Sequence, residues 1–330
     1  MKTKDLRSYG CVGISVLAFV FGLALAGCGD ENEEGVNETT INVASASDWK
    51  NAQLTISRGG NEKNYIVNIN ANITGLNGSL ENTFGNVTRV KVTLRGTGSL
   101  ELGSGRESNG SLLKTGKGQT LTLRGVSLKG KNENTAPLVS IGGGFYMESG
   151  TISDNTVSGN TAGGVYIVDF NGYFTMTGGT ISGNTASSNY SNSGGGGVYS
   201  SGTFTMTGGT ISGNTASCDY GYGSNSGGGG VYSRGTFTMT GGTISGNTAS
   251  GDYCYGGGVY VYEYSNSDGK AVFTKSGDSI IYGNDASPAS RNTASQGHAV
   301  YLSGGKKRDT TASAQDIMDS SLTGFLGGWE

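Results

Sequence analysis

The chain has 330 residues, 62 of them glycine, with 14% charged side chains, one histidine and a formal net charge of −3. Glycine, serine, threonine and asparagine are poor helix formers, so an α-solenoid is excluded. Apart from Lys306-Lys307-Arg308 there is no basic cluster, so nucleic-acid binding has no electrostatic footprint.

The N-terminus reads as an export signal. Lys2, Lys4 and Arg7 precede an apolar run from Val12 to Ala26, 15 residues long and short for a membrane-spanning helix. The run ends in Leu25-Ala26-Gly27-Cys28, which resembles the lipobox of bacterial lipoproteins. That resemblance implies cleavage before Cys28, a diacylglyceryl group on its sulfur and an acyl chain on its nitrogen. Three chains exceed the two-signal threshold for stable anchoring. Gly29 stands where an aspartate favours inner-membrane retention in some bacteria, which points to the outer membrane. The plainer alternative is an ordinary signal with a chance LAGC. Removing residues 1–27 takes away Lys2, Lys4, Arg7 and Asp5, leaving 19 basic and 24 acidic residues, net −5. Residues 28–40 are expected to be the acylated cysteine and a disordered acidic tether, GDENEEGVNETT being poor in apolar side chains.

Residues 41–304 are expected to form one solenoid. Ser47 to Leu54 reads as a short capping helix, with Trp49 and Leu54 covering the first coil. YIVNINANITG and VKVTLRGTGSLEL, between residues 60 and 120, alternate as strands do. The block FTMTGGTISGN then occurs verbatim at Phe174, Phe204 and Phe237. Degenerate copies start at Leu121 and Phe145, and a looser one with an extra residue at Phe273. The starts are 24, 29, 30, 33 and 36 residues apart. Self-similarity at that period marks units that bury their apolar faces only against one another.

Within one copy, Phe204 and Met206 point inward and Thr203, Thr205 and Thr207 outward, the period of a strand. Gly208-Gly209 breaks the run, Thr210-Ile211-Ser212 is a second strand with Ile211 inward, and Gly213-Asn214 is a turn. GGGGVY, Gly227 to Tyr232, supplies a third strand with Val231 inward and Tyr232 outward. Three strands and three corners make one coil of a parallel β-helix, and about nine coils are expected. Stacking predicts ladders of Phe145, Phe174, Phe204 and Phe237; of Met147, Met176, Met206 and Met239; and of Ile152, Ile181, Ile211 and Ile244. Asn155, Asn184, Asn214, Asn247 and Asn284 are predicted to line one corner, amide bonded to amide.

Ile-Ser-Gly-Asn followed by Gly-Gly-Gly-Val-Tyr resembles the paired FxxN and GGA(I/V/L) motifs of polymorphic outer-membrane protein repeats. It also resembles the right-handed parallel β-helix (pectin-lyase-like) family of bacterial surface proteins. The resemblance covers roughly residues 120–300, best at Ile181–Asn184, Ile211–Asn214 and Ile244–Asn247. It implies an all-β right-handed β-helix at the cell surface, and names no reaction. Autotransporter members end in a membrane barrel, whereas residues 305–330 are too few for one. Their Ile317, Met318, Leu322, Phe325, Leu326 and Trp329 are expected to cap the last coil.

Pectin-active members of that fold carry several aspartates on one strand face beside arginine, lysine or histidine. Here Glu148, Asp154, Asp169, Asp219, Asp252, Glu263, Asp268, Asp278 and Asp285 are scattered, and His298 in QGHAV is not the Gly-His-Gly of polygalacturonases. No catalytic residue, cofactor or metal site is predicted, one histidine being too few for a His/Cys metal constellation. A threonine plane of the ice-binding kind, Thr203/Thr205/Thr207 over Thr236/Thr238/Thr240, is interrupted by Arg124, Tyr146 and Glu148.

The insertions after each GNTA corner stand out: SSNYSNS (187–193), SCDYGYGSNS (217–226) and SGDYCY (250–255). Loops inserted at one point of a solenoid commonly form its working face. Tyrosine among small polar residues is the composition of antibody paratopes. Tyr190, Tyr220, Tyr222, Tyr253 and Tyr255 are therefore the candidate binding residues, with Tyr199, Tyr232 and Tyr260 as an outward ladder beside them. The plainer reading is tolerated soluble loops. Cys218 and Cys254 sit four and seven residues past their corner asparagines, leaving either a disulfide or two loop thiols. The expected function is a lipid-anchored, non-catalytic adhesin. Its partners would be the membrane, through Cys28, and a protein or glycan ligand. The alternative is a polysaccharide-active enzyme.

Overall fold

A computed structural model describes residues 38–303, apart from 160, 189–193, 219–225, 253, 263–270 and 285. The strands pair in parallel from coil to coil, which makes the expected β-helix. The face bearing phenylalanine and methionine stacks nine strands deep, from Glu38–Val43 to Val272–Lys275, whereas the Val-Tyr face has seven, from Leu113–Thr115 to Val300–Leu302. About seven turns are complete, against the nine expected, because the Val-Tyr face begins only at Leu113. The first strand starts at Glu38, inside the segment assigned to the tether. Its β-branched Thr39 and Ile41 lie in register with Tyr65 and Val67.

The capping helix α1 spans Ala46–Arg58. Ser45 Oγ accepts from the Asp48 amide at 3.2 Å, while Asp48 Oδ2 accepts from Ser45 Oγ at 2.8 Å and the Ala44 amide at 3.2 Å. These reciprocal bonds satisfy amides at the helix start, and the Ser45 hydroxyl above all holds the Asp48 carboxyl below its usual range. Trp49, Ala52 and Ile56 form the buried stripe, and Trp49 meets Phe84 edge-on at 6.4 Å. Leu54 does not cover the coil and is 38% exposed. Five positions beyond Trp49, it is carried about 140° round the helix.

The three apolar ladders form as the alternation predicts. Phe145, Phe174, Phe204, Phe237 and Phe273 stack with centroids 4.7 to 5.1 Å apart. Met147, Met176, Met206 and Met239 are fully buried in register, as are Ile152, Ile181, Ile211 and Ile244. The methionine row ends in Lys275, in register with Met239 and fully buried, its Nζ donating to the Ser279 carbonyl at 2.6 Å.

The asparagine corner is also present, with one correction. Asn184 Nδ2 donates to Asn214 Oδ1 at 3.1 Å, Asn214 to Asn247 at 3.0 Å, and Asn247 to Asn292 at 2.9 Å. The last member is Asn292, and Asn284 stands outside the row half-exposed. The final turn inserts residues between its Gly283-Asn284 pair and the corner, so the motif and the ladder part company there. Each interior asparagine also donates to carbonyls, Asn214 to Ile181 O at 2.9 Å and Ser212 O at 3.2 Å. The buried amides are thus paired, as burial demands. The preceding Gly183, Gly213 and Gly246 have φ of 65°, 63° and 62°, which aims each asparagine inward.

Candidate ligand-binding surface

The three insertions leave the solenoid from one edge. Thr185–Ser188, Thr215–Cys218 and Thr248–Ser250 pair in register, Thr185 with Thr215 and Thr215 with Thr248, and each runs directly into its insertion. The chain re-enters through glycine runs onto Val198, Val231 and Val259, which are again in register. Glycine is needed there: a Cβ at Gly196 would lie 2.4 Å from Gly229 O and 2.6 Å from the Thr215 backbone.

Of the five candidate tyrosines, Tyr190, Tyr220, Tyr222 and Tyr253 lie outside the described residues. Tyr255 is half-buried; its ring stacks on Tyr301 at 4.5 Å and meets Tyr260 edge-on at 6.4 Å. Tyr255 is thus a packed member of the loop base as well as a candidate contact.

The outward ladder of Tyr199, Tyr232 and Tyr260 is in register, with Tyr166 before it and Tyr301 after. It is not a solvent-facing ladder. Tyr199, Tyr232 and Tyr260 retain 7%, 2% and 0% exposure, forming a second apolar cluster with Ala162 and Tyr301 outside the coil. Half-buried Tyr166, Tyr255 and Tyr262 pack against it. Arg234 seals it, its Nη1 donating to Tyr199 Oη at 3.1 Å and its guanidinium 5.9 Å from the Tyr262 ring centre. Alternation correctly placed these tyrosines outside the main core. It could not show that a second layer covers them.

Cys218 and Cys254 are joined in a disulfide, with a Cα separation of 5.7 Å. The unequal offsets are absorbed by a turn. Gly251 continues past Ser250 to lie beside Cys218, and the Cys254 amide then donates to Gly251 O at 3.2 Å, folding Cys254 back. The bridge ties the second insertion to the third.

The cluster has a consequence at alkaline pH. Burial is the first cause that raises Tyr232 and Tyr260 well above the ordinary tyrosine value of about 10. A raised folded-state value means the fold favours the neutral phenol. This stabilisation is complete below about pH 10 and is lost as pH climbs from there toward the folded values. We expect the melting temperature to be level from about pH 7 to 9 and to fall steeply above 10. In absorbance titration at 295 nm, the Tyr232 and Tyr260 signal should emerge only with unfolding. Ionisation of every tyrosine near pH 10 in the folded chain would refute the packed cluster.

The described acids do not converge. Glu148, Asp154, Asp169, Asp252 and Asp278 are exposed on separate turns and strands, and Glu148 is paired with Arg124. His298 accepts the Ala294 amide on Nδ1 at 3.1 Å. Among the described residues no group of three or more His, Cys, Asp or Glu is placed to hold a metal ion. Asp219, Glu263, Asp268 and Asp285 lie outside the described residues. The fold class is a parallel β-helix with inserted loops on one edge. No family model, curated protein or solved structure matches the chain.

Proposed function

We infer that the mature chain is a lipoprotein held by Cys28 in the outer membrane, whose β-helix presents tyrosine-rich loops to a ligand without catalysis. In this reading it is an adhesin, and its ligand is a protein or a glycan. The observation that carries it is the common exit and re-entry of the three insertions, whose flanking strands stack in register on successive coils about 4.8 Å apart. Loops so placed on a rigid scaffold are the usual carriers of binding residues. The disulfide supports export, since such bonds persist in oxidising compartments. The resemblance of the ISGN and GGGVY motifs to polymorphic outer-membrane protein repeats supports a cell-surface habit.

Anchoring and catalysis are tested separately. Cys28→Ser should move the protein from the membrane fraction to the soluble fraction and abolish palmitate labelling. Unchanged fractionation would remove the anchor from the reading. Incubation of the purified protein with uronide polymers, with and without calcium, should release no oligosaccharide; robust turnover would replace the adhesin by a polysaccharide-active enzyme.

A further inference from the structure

The outward side of the phenylalanine–methionine face follows a simple rule. Thr203 and Thr205 lie beside Thr236 and Thr238, with Thr175 before them and Thr274 after. Asn64, Ile66, Lys91 and Arg95 occupy these columns on the earlier coils and Val272 on the last, and among the coils between them the rule breaks at one cluster. Register puts Gly144 and Tyr146 on one strand and Tyr173 on the next where the repeat has threonine, and Arg124 and Glu148 lie just beyond. These breaks are coupled in space. The Tyr173 ring lies across Gly144, where a Cβ would come within 2.3 Å of Tyr173 Cζ. Tyr173 Oη lies 3.5 Å from Thr120 Oγ1, on the strand beyond. Tyr146 stands beside this ring, centroids 5.6 Å apart and planes at 71°, and is 37% exposed.

The adjoining corner departs from the rule too. Six residues separate Ile167 from Phe174, against three between Ile141 and Phe145 and three between Ser200 and Phe204. The longer corner holds Val168 and Phe170 at 44% and 71% exposure, just ahead of Tyr173. Two aromatic rings, one lying flat and one upright beside it, thus stand together on this face, with Phe170 exposed at the adjoining corner.

We propose that Tyr173, Tyr146 and Phe170 form a second binding site, separate from the inserted loops, for a neutral glycan whose pyranose ring stacks on Tyr173. A pyranose has an apolar face of C–H groups and a rim of hydroxyls. It matches a flat ring laid on a strand, with an upright ring as wall and polar groups around. The charges at hand balance: exposed Asp169 at the corner and exposed Lys91, in register with Thr120, are one of each sign, and the pair closest to the rings is matched within itself. Arg124 Nε and Nη2 hold both oxygens of Glu148 at 2.6 and 2.9 Å, so the pair nearest the rings offers no unmatched charge. The same pair offers its remaining donors and lone pairs to sugar hydroxyls. Gly144 is the positioning residue, since any side chain there would lift the Tyr173 ring.

Electrophoresis of the full chain in mild detergent through gels containing neutral polysaccharides (mannan, β-glucan, galactan) and acidic ones (alginate, polygalacturonate) tests this. At least one neutral polymer should retard the chain. Tyr146→Thr/Tyr173→Thr installs the residue that other coils carry at these positions, so it should melt as the parent does. Its apparent Kd for that polymer should rise at least about tenfold. Gly144→Ala, which keeps both rings but displaces one, should weaken retardation as well. No retardation by any neutral polymer, retardation by acidic polymers alone, or equal retardation of parent and double variant would each overturn the proposal. The loop variant discussed below leaves these residues intact, so failure of one site is distinguishable from failure of the other.

Discussion

Met206→Asp is expected to unfold the central coils. Met206 is fully buried between Met176 and Met239, and its Cε packs against Gly242, where even a Cβ would come within 2.6 Å. A carboxylate there must either keep its charge without water or a partner, or take up a proton and remain a polar group among thioethers. Either outcome costs more than about 4 kcal/mol, the range reserved for unpaired buried charges. Because each coil is stabilised by its neighbours, the damage spreads along the stack rather than staying local. Met206→Leu keeps volume and apolarity and should cost less than about 1.5 kcal/mol. Circular dichroism melts and limited proteolysis read both. A Met206→Asp chain that melted within a few degrees of the parent would show that the methionine row does not hold the coils together.

The ladders were legible because their cause is local. A period of two fixes which side of a strand each residue takes, and a period near 30 fixes which residues stack. Phe204, Met206 and Ile211 needed no more information than that. The asparagine corner was legible as far as Asn247, while every coil kept Gly-Asn at the turn. It was misread at Asn284 because the last turn keeps the motif and supplies its buried amide from Asn292. Leu54 falls off the buried stripe because a helix turns by about 100° per residue, so apolar character alone does not place a side chain on the inner face.

The candidate surfaces were harder to see. Tyr199, Tyr232 and Tyr260 were placed on the correct side of their strand, but their burial depends on a second layer with no period of its own. Tyr146, Glu148 and Arg124 show in the sequence only as defects in a threonine plane. Tyr173 does not stand out in the sequence, because the packing of its ring on Gly144 depends on strand register. The useful signal is the departure from the repeat: Tyr146 stands in register between Thr122 and Thr175, and Tyr173 beside Thr203, so the coil itself does not require tyrosine there.

The largest functional effect is expected at the inserted loops. Tyr255 also supports the loop base through Tyr301, so replacing it would mix binding with stability. The discriminating variant therefore changes Tyr190, Tyr220, Tyr222 and Tyr253 to serine and leaves Tyr255 in place. No member of the Phe, Met, Ile or Asn ladders is touched, so its melting should match the parent. Exposed tyrosines at the centre of an interface contribute about 2 kcal/mol or more each, so attachment should weaken at least about thirtyfold. The measurement is the adhesion of cells displaying equal amounts of folded parent and four-tyrosine variant to the same host-cell or matrix surface. Loss of attachment by the variant, with unchanged display and melting, is the predicted result. Equal attachment by the two would contradict the account and move the binding function off the inserted loops.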